Sequence, residues 1–205
     1  ASPERYLKKE GIKVISQPIK GTSRRIPDTI LDEQSKIDLE NNPKERAENI
    51  MIVDLVRNDL SRTAAKGSVE VEELCKIYTF KQVHQMISTV VSQVEITTSP
   101  VEILKTTFPM GSMTGAPKIR AMQLIDDLEK GARGIYSGAI GFFGFDGSAD
   151  FSMTIRTLVF SHGTVSFGIG GGITAESDPI SELAETQLKA KALLNCLGAA
   201  SPWRD

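Results

Sequence analysis

A chain of 205 residues and 22.3 kDa can bury a sizeable core, and one domain is the default count. With 24 Lys and Arg against 26 Asp and Glu, the net charge is -2, which excludes any general attraction to nucleic acid or to an anionic membrane. No signal peptide or bilayer-length apolar run is visible, and Cys75 and Cys196 lack metal-ligand spacing. The chain therefore reads as soluble and cytoplasmic, with reduced, mostly buried thiols.

Ala1-Ser2-Pro3-Glu4-Arg5-Tyr6-Leu7 enters structure at once, as a cut through a larger domain would. Gln17-Pro18-Ile19 favours extended backbone, because a proline restricts the residue ahead of it. Lys20 follows, held at a corner by a Gly21-Thr22 turn, where glycine permits tight turning and close approach of a ligand. A lysine so placed is either a loop residue on the surface or, if burial frees its amine, a nucleophile.

Asn42-Pro43-Lys44-Glu45 carries the signals of a helix start, and apolar residues from Ala47 to Val56 extend the helix to about Leu60. Gln82 to Ile96, rich in β-branched residues, predicts a strand. Ser99-Pro100 opens a short helix. Thr114-Gly115-Ala116-Pro117 opens another, with Ile119, Met122, Ile125 and Leu128 on one face and Gly131 as its stop. From Ser137 to Ile169, turns at Asp146-Gly147 and at Ser161-His162-Gly163 predict three antiparallel strands in a meander. Ser177-Asp178-Pro179 caps a last helix that stops at Gly198, leaving 199–205 as a tail. No repeat or long linker divides the chain, and helices at both ends of an antiparallel sheet make the fold class α+β.

Glu45 and Glu48 share one helix face near its start, and Glu182 and Glu185 share another. Facing each other, the two pairs would suit a hard divalent cation such as Mg²⁺. Acids in a first helical turn also simply favour the helix dipole, and Glu185 can pair with Lys189 one turn on. The loop Phe108 to Lys118 leads into a helix N-terminus that favours negative charge. Gly170-Gly171-Gly172 offers backbone amides to a carboxylate, or a hinge. Arg156, read as mid-strand and sharing a face with Thr154, suits a carboxylate anchor or plain exposure. His162 reads as solvated, and His84 is ambiguous.

Together the segments SPERYL, PIKGTSRR, KERAENIMIVDLVRNDL, FPMGSMTGAPKIRAM, RGIYSGAIGFFGFDG, SMTIRTL, GIGGGI and ESDPISELAETQLKAKALL resemble the chorismate-utilising enzymes. That family includes anthranilate, aminodeoxychorismate and isochorismate synthases. The resemblance implies the C-terminal part of a layered α/β/β/α sandwich with antiparallel sheets, the chorismate-binding domain, over residues 1–198. It also implies that the isolated stretch is inactive, and is oligomeric or poorly ordered near residues 1–40.

Lysine at position 20 is similar to the branch that makes 4-amino-4-deoxychorismate for para-aminobenzoate and folate, using ammonia from a glutaminase subunit or domain. By that resemblance Lys20 attacks chorismate as a neutral amine, so a lowered pKa is implied, and Glu4 is the general acid, with a raised pKa. Gly21, Thr22, Tyr136, Arg156, Gly170, Gly171, Gly172 and Lys189 match substrate-binding positions. Glu48 and Glu185, with Glu45 and Glu182, match the Mg²⁺ carboxylates. Many relatives carry a histidine where this chain has Gln85, and His84 beside it should point to the opposite face. The same resemblance leaves an anthranilate synthase or an inactive, partner-binding remnant as alternatives.

Overall fold

The computed structural model describes residues 4–175, 177–200 and 203. Ala1 and the first two residues of the SPER segment, Ser2 and Pro3, lie outside them, as does most of the 199–205 tail. The strands are β1 (Arg5–Glu10), β2 (Lys13–Gln17), β3 (Ile19–Arg24), β4 (Glu70–Thr79), β5 (Val83–Gln93), β6 (Ala139–Phe143), β7 (Ala149–Met153), β8 (Val159–Ser161) and β9 (Thr164–Ser166). The helices are α1 (Thr29–Asn41), α2 (Pro43–Ser61), α3 (Pro100–Thr107), α4 (Lys118–Leu128) and α5 (Pro179–Leu197).

Strand β5 organises the main sheet. Its β-branched sequence is buried on both faces, and β4 pairs along one of its edges. Along the other edge, β2 and then β3 pair in succession. Pro18 has no N–H to give the ladder and separates the two. Its carbonyl still accepts from the Ser88 N–H at 3.1 Å, so β2 and β3 are halves of one interrupted strand. Beyond them come β1, β7 and β6, completing a seven-stranded sheet in which every pairing is antiparallel. This is the α+β architecture expected of part of a layered sandwich.

Alternation along β5 fixes where the helices lie. His84 meets Asp32 of α1, and Ser88 meets Asn49 of α2, so even-numbered residues face the helices. A core of Tyr6, Leu7, Val14, Val53, Leu60, Val90, Ile103 and Phe151 fills that side. The opposite face opens into a broad groove lined by Glu4, Gln17, Ile19, Tyr78, Ile87 and Phe142.

Helix starts follow the sequence closely. Asn42 accepts from the N–H groups of Lys44 and Glu45, Ser99 from Val101, and Asp178 from Ser181. Gly198 closes α5 in the left-handed conformation at φ 62°. No helix among the described residues is long and apolar enough to cross a membrane.

Five expectations are corrected. The three-strand meander is instead two hairpins: β6–β7 joins the main sheet through β1, while β8–β9 forms its own two-stranded sheet. Arg156 is not in mid-strand; β7 ends at Met153, and Arg156 takes a positive φ of 49°, which separates the hairpins. The chain does not turn a corner at Lys20, because β3 continues to Arg24. Helix α4 ends at Leu128, before Gly131, and Ile119 and Leu128 of its apolar face are exposed. Cys75 is buried but Cys196 is exposed, and both are free. Helix α1 and strand β4 were not anticipated.

Asn49 carries much of the attachment of α2 to the sheet. It is wholly buried; its amide donates to the Met86 carbonyl at 3.3 Å, and its Oδ1 accepts from Ser88 Oγ. Ser88 Oγ in turn accepts from the Cys75 N–H at 2.8 Å, tying in β4. Asn49→Ala strands these partners and should lower unfolding free energy by about 1–3 kcal/mol, measured by urea denaturation. A change within about 0.5 kcal/mol, the size of an ordinary surface substitution, would contradict this attachment.

Candidate active site

Lys20 and Gly21 sit in a β-bulge. Ile19 opposes Ile87 while Thr22 opposes Gln85, so β3 contains one residue more than β5 across this interval. Gly21 absorbs the distortion at φ +91°. A side chain there would also meet Glu45: a Cβ would stand 3.2 Å from the Glu45 Cβ and carboxylate and from Leu39. The bulge backbone thus lies directly against the first turn of α2. Thr22 is exposed on the same strand.

Glu4 is fixed twice. Its carbonyl accepts from the Met153 N–H at 3.0 Å, and its Oε1 accepts from the Ile19 N–H at 3.2 Å. Burial raises its pKa from 4.5 to about 7, against the opposing effects of that hydrogen bond and of the Lys20 and Arg156 charges. Three residues singled out in the sequence therefore share one electrostatic neighbourhood. A carboxylic acid of this pKa is half protonated near neutrality and suits proton donation.

A second neighbourhood joins α2 to α5. Glu45 is raised by burial first, then by the negative charges of Glu48 and Glu185; Lys44 and Lys20 oppose them. Glu185 is lowered, first by its hydrogen bond from Lys189, with the Lys44 and Lys20 charges adding to it. Lys189 bridges Glu185 Oε1 at 2.6 Å and the Gly170 carbonyl at 3.2 Å. Glu182 accepts from Ser177 at 2.8 Å, and its other carboxylate oxygen lies 2.9 Å from where a Cβ of Gly171 would project. A side chain at 171 would displace that carboxylate, the free end of the Glu182 side chain. Gly172 faces open space.

These carboxylates supply only hard oxygen donors, the chemistry Mg²⁺ prefers. Mutual repulsion at Glu45 is what a cation would relieve. Among the described residues, however, no three Asp, Glu, His or Cys side chains close on one point. Glu185 is engaged with Lys189, and Glu48 stands 4.0 Å from Lys44.

Tyr136 covers the glycine run. A Cβ at Gly168 would fall 2.1 Å from its ring, and one at Gly170 would lie 3.1 Å from its hydroxyl. Arg133, which the sequence reading did not single out, holds this corner. Its guanidinium binds Glu129 at 2.6 Å, the Met113 carbonyl at 2.8 Å and Ser137 Oγ at 3.0 Å, and lies 5.9 Å from the Tyr136 ring centre. The only signal for it was its place in the RGIYSG segment. His84 is buried on the helix face between Asp32, at 3.1 Å, and Thr79, at 2.9 Å. It braces α1, while Gln85 points to the other face opposite Thr22.

With this geometry in place, the comparisons converge. Residues 1–195 match the chorismate binding enzyme family, and the chain belongs to it. It is 48% identical to the aminodeoxychorismate synthase of Streptomyces griseus, over 100% of this chain and 28% of that protein. It is 43% identical to aminodeoxychorismate synthase component 1 of Escherichia coli, over 96% of this chain and 43% of the relative. Anthranilate synthase component 1 of Streptomyces coelicolor is also 43% identical, over 98% of this chain and 39% of its own length. Among solved structures, anthranilate synthase component I of Streptococcus pneumoniae superposes with a TM-score of 0.84 at 35% identity, covering 94% of this chain and 42% of that one. The chain thus spans less than half the length of each of these relatives.

The Glu4 pKa has a consequence for stability. The folded state holds this proton more tightly than the unfolded chain, whose value is near 4.5. The group therefore favours folding below about pH 4.5 and progressively weakens it as pH rises through about 7. The full gap corresponds to about 3 kcal/mol. Glu4→Gln should raise stability at pH 8 and flatten the decline between pH 5 and 8 in denaturation curves. An unchanged pH profile would contradict the burial of an ionisable group here.

Proposed function

We propose that this protein acts as an aminodeoxychorismate synthase component 1, converting chorismate and ammonia to 4-amino-4-deoxychorismate. The observation that carries the reading is Lys20 in the bulge, its charge felt by Glu4 on one side and by Glu45 and Glu185 on the other. The identities of 43–48% to aminodeoxychorismate synthases support it. The Lys20 amine attacks C2 of chorismate while Glu4 protonates the departing 4-hydroxyl, which leaves as water. Ammonia then adds at C4 and expels the lysine.

Tyr136, Arg156, Lys189 and the 170–172 glycines grip the substrate carboxylates, and Gly21 and Thr22 contact chorismate. Glu48 and Glu185 would hold Mg²⁺, with Glu45 and Glu182 beside them. When bound, the ion supplies positive charge to a substrate carboxylate that the protein would otherwise bury unpaired. The name component 1 in the Escherichia coli relative fits a separate glutaminase as the ammonia source. We place this activity in the cytoplasm and in para-aminobenzoate synthesis, and we expect the 205-residue stretch alone to be inactive.

The relative from Streptomyces coelicolor keeps a second reading, anthranilate synthase. Product mass from a full-length preparation given chorismate, Mg²⁺ and ammonia separates them. The amino-deoxy product is expected; pyruvate with anthranilate would assign the second reading. Lys20→Ala should lose most activity while retaining chorismate binding by calorimetry, and full activity would remove the nucleophile. Glu48→Gln and Glu185→Gln should each raise the Mg²⁺ requirement about tenfold or more, with the double variant costing less than the sum. An unchanged Mg²⁺ requirement in both single variants would leave the carboxylates as helix-start acids.

A further inference from the structure

Near the C-terminal end of α2 lies a buried ion pair that the proposed reaction does not use. Lys118 Nζ donates to Asp59 Oδ2 at 2.6 Å and to the Thr107 carbonyl at 3.1 Å. Asp59 is only 4% exposed, and among the described residues no donor reaches its Oδ1. A buried carboxylate oxygen left without a donor is expensive, and native structures supply one. Burial pushes the Asp59 carboxyl above its ordinary range even though Lys118 pulls it back, as expected of a carboxylate short of donors.

Asp59 lines a small cavity together with Tyr6, Ser16, Thr107, Ser112 and the apolar Ile52. Its volume is about 20 Å³, enough for a single water-sized molecule, which needs about 10–15 Å³. The hydroxyls around it are already anchored. Tyr6 and Thr107 bond each other at 2.6 Å, and Ser16 donates to the Tyr6 carbonyl at 2.7 Å. Each hydroxyl oxygen retains a free lone pair, so a guest would find two or more polar partners.

Charge decides the kind of guest. Asp59 and Lys118 already cancel, so a cation such as sodium or ammonium would leave an unmatched buried charge, and an anion would meet the carboxylate. We propose that this cavity is a binding site for one small neutral molecule that donates a hydrogen bond to Asp59 Oδ1. Water and ammonia share that chemistry. Bound there, the molecule links α2 and α3 to β1. The site stands whichever chorismate reaction the protein runs, and ammonia as occupant would connect it to the nitrogen source proposed above.

A high-resolution crystal structure of the full-length protein tests the site. One ordered peak within hydrogen-bond reach of Asp59 Oδ1 and of a hydroxyl of Tyr6 or Thr107 is expected. A cavity without a peak, or Oδ1 taken up by Arg62 or another protein donor, would overturn it. Titration with ammonium chloride at alkaline pH, against sodium chloride at equal ionic strength, identifies the occupant. Saturating amide shifts at Asp59 and Thr107 with ammonium alone assign ammonia. A response equal to that of sodium assigns water, and a long-lived internal water in relaxation-dispersion measurements should then be present.

Discussion

The bulge at Lys20–Gly21, in the strand that pairs with β5, is the constraint from which the site follows. Pro18, without an N–H, divides the partner of β5 into β2 and β3, yet its carbonyl keeps the ladder in step through Ser88. The register against β5 is the same on both sides of Pro18, and the extra residue enters only after Ile19, in the Lys20–Gly21 bulge, with glycine supplying the positive φ. In a regular strand Lys20 would have only one face to address. Within the bulge its charge is felt by Glu4, which lines the open groove, and by Glu45 on the helix side. Glycine at 21 is needed twice over, for its backbone angle and because Glu45 occupies the space a side chain would take.

Opposed charges account for the two neighbourhoods around that lysine. Glu4 is held near neutrality by burial, which outweighs a backbone N–H and two nearby cations. Glu45 is raised for a further reason, the like charges of Glu48 and Glu185, whereas Glu185 is relieved by Lys189. Glu45 and Glu185, carboxylates from two helices, are thus displaced in opposite directions, and of the two Glu185 has a lysine of its own at 2.6 Å. The same lysine reaches the Gly170 carbonyl, so α5 and the glycine run are set by one side chain. Arg133 does the equivalent for Tyr136.

Much of this was legible in residues whose signals are local. The caps at Asn42, Ser99 and Asp178 and the turns at Asp146-Gly147 and His162-Gly163 state their conformation within four residues. Helix α1 was missed because Ile30, Leu31 and Ile37 are exposed and give no apolar stripe, although Asp28 capping Ile30 and Leu31 was readable. Strand β4 was missed because its charged residues mask the alternation. The bulge depends on register against β5, which no local pattern contains, so Gly21 was read as a turn. Arg156 was misplaced because its positive φ belongs to a residue type that rarely adopts one. Asn49 and Asp59 depend on partners distant in sequence, and Arg133 in part on the Met113 carbonyl twenty positions away.

The central claim is that the bulge presents Lys20 as the group that bonds to substrate. Intact-mass analysis of the full-length protein quenched during turnover, followed by peptide mapping, tests it most directly. The account predicts a chorismate-derived adduct on the peptide containing Lys20, absent from Lys20→Ala. Turnover at full rate with no adduct on that peptide would contradict it.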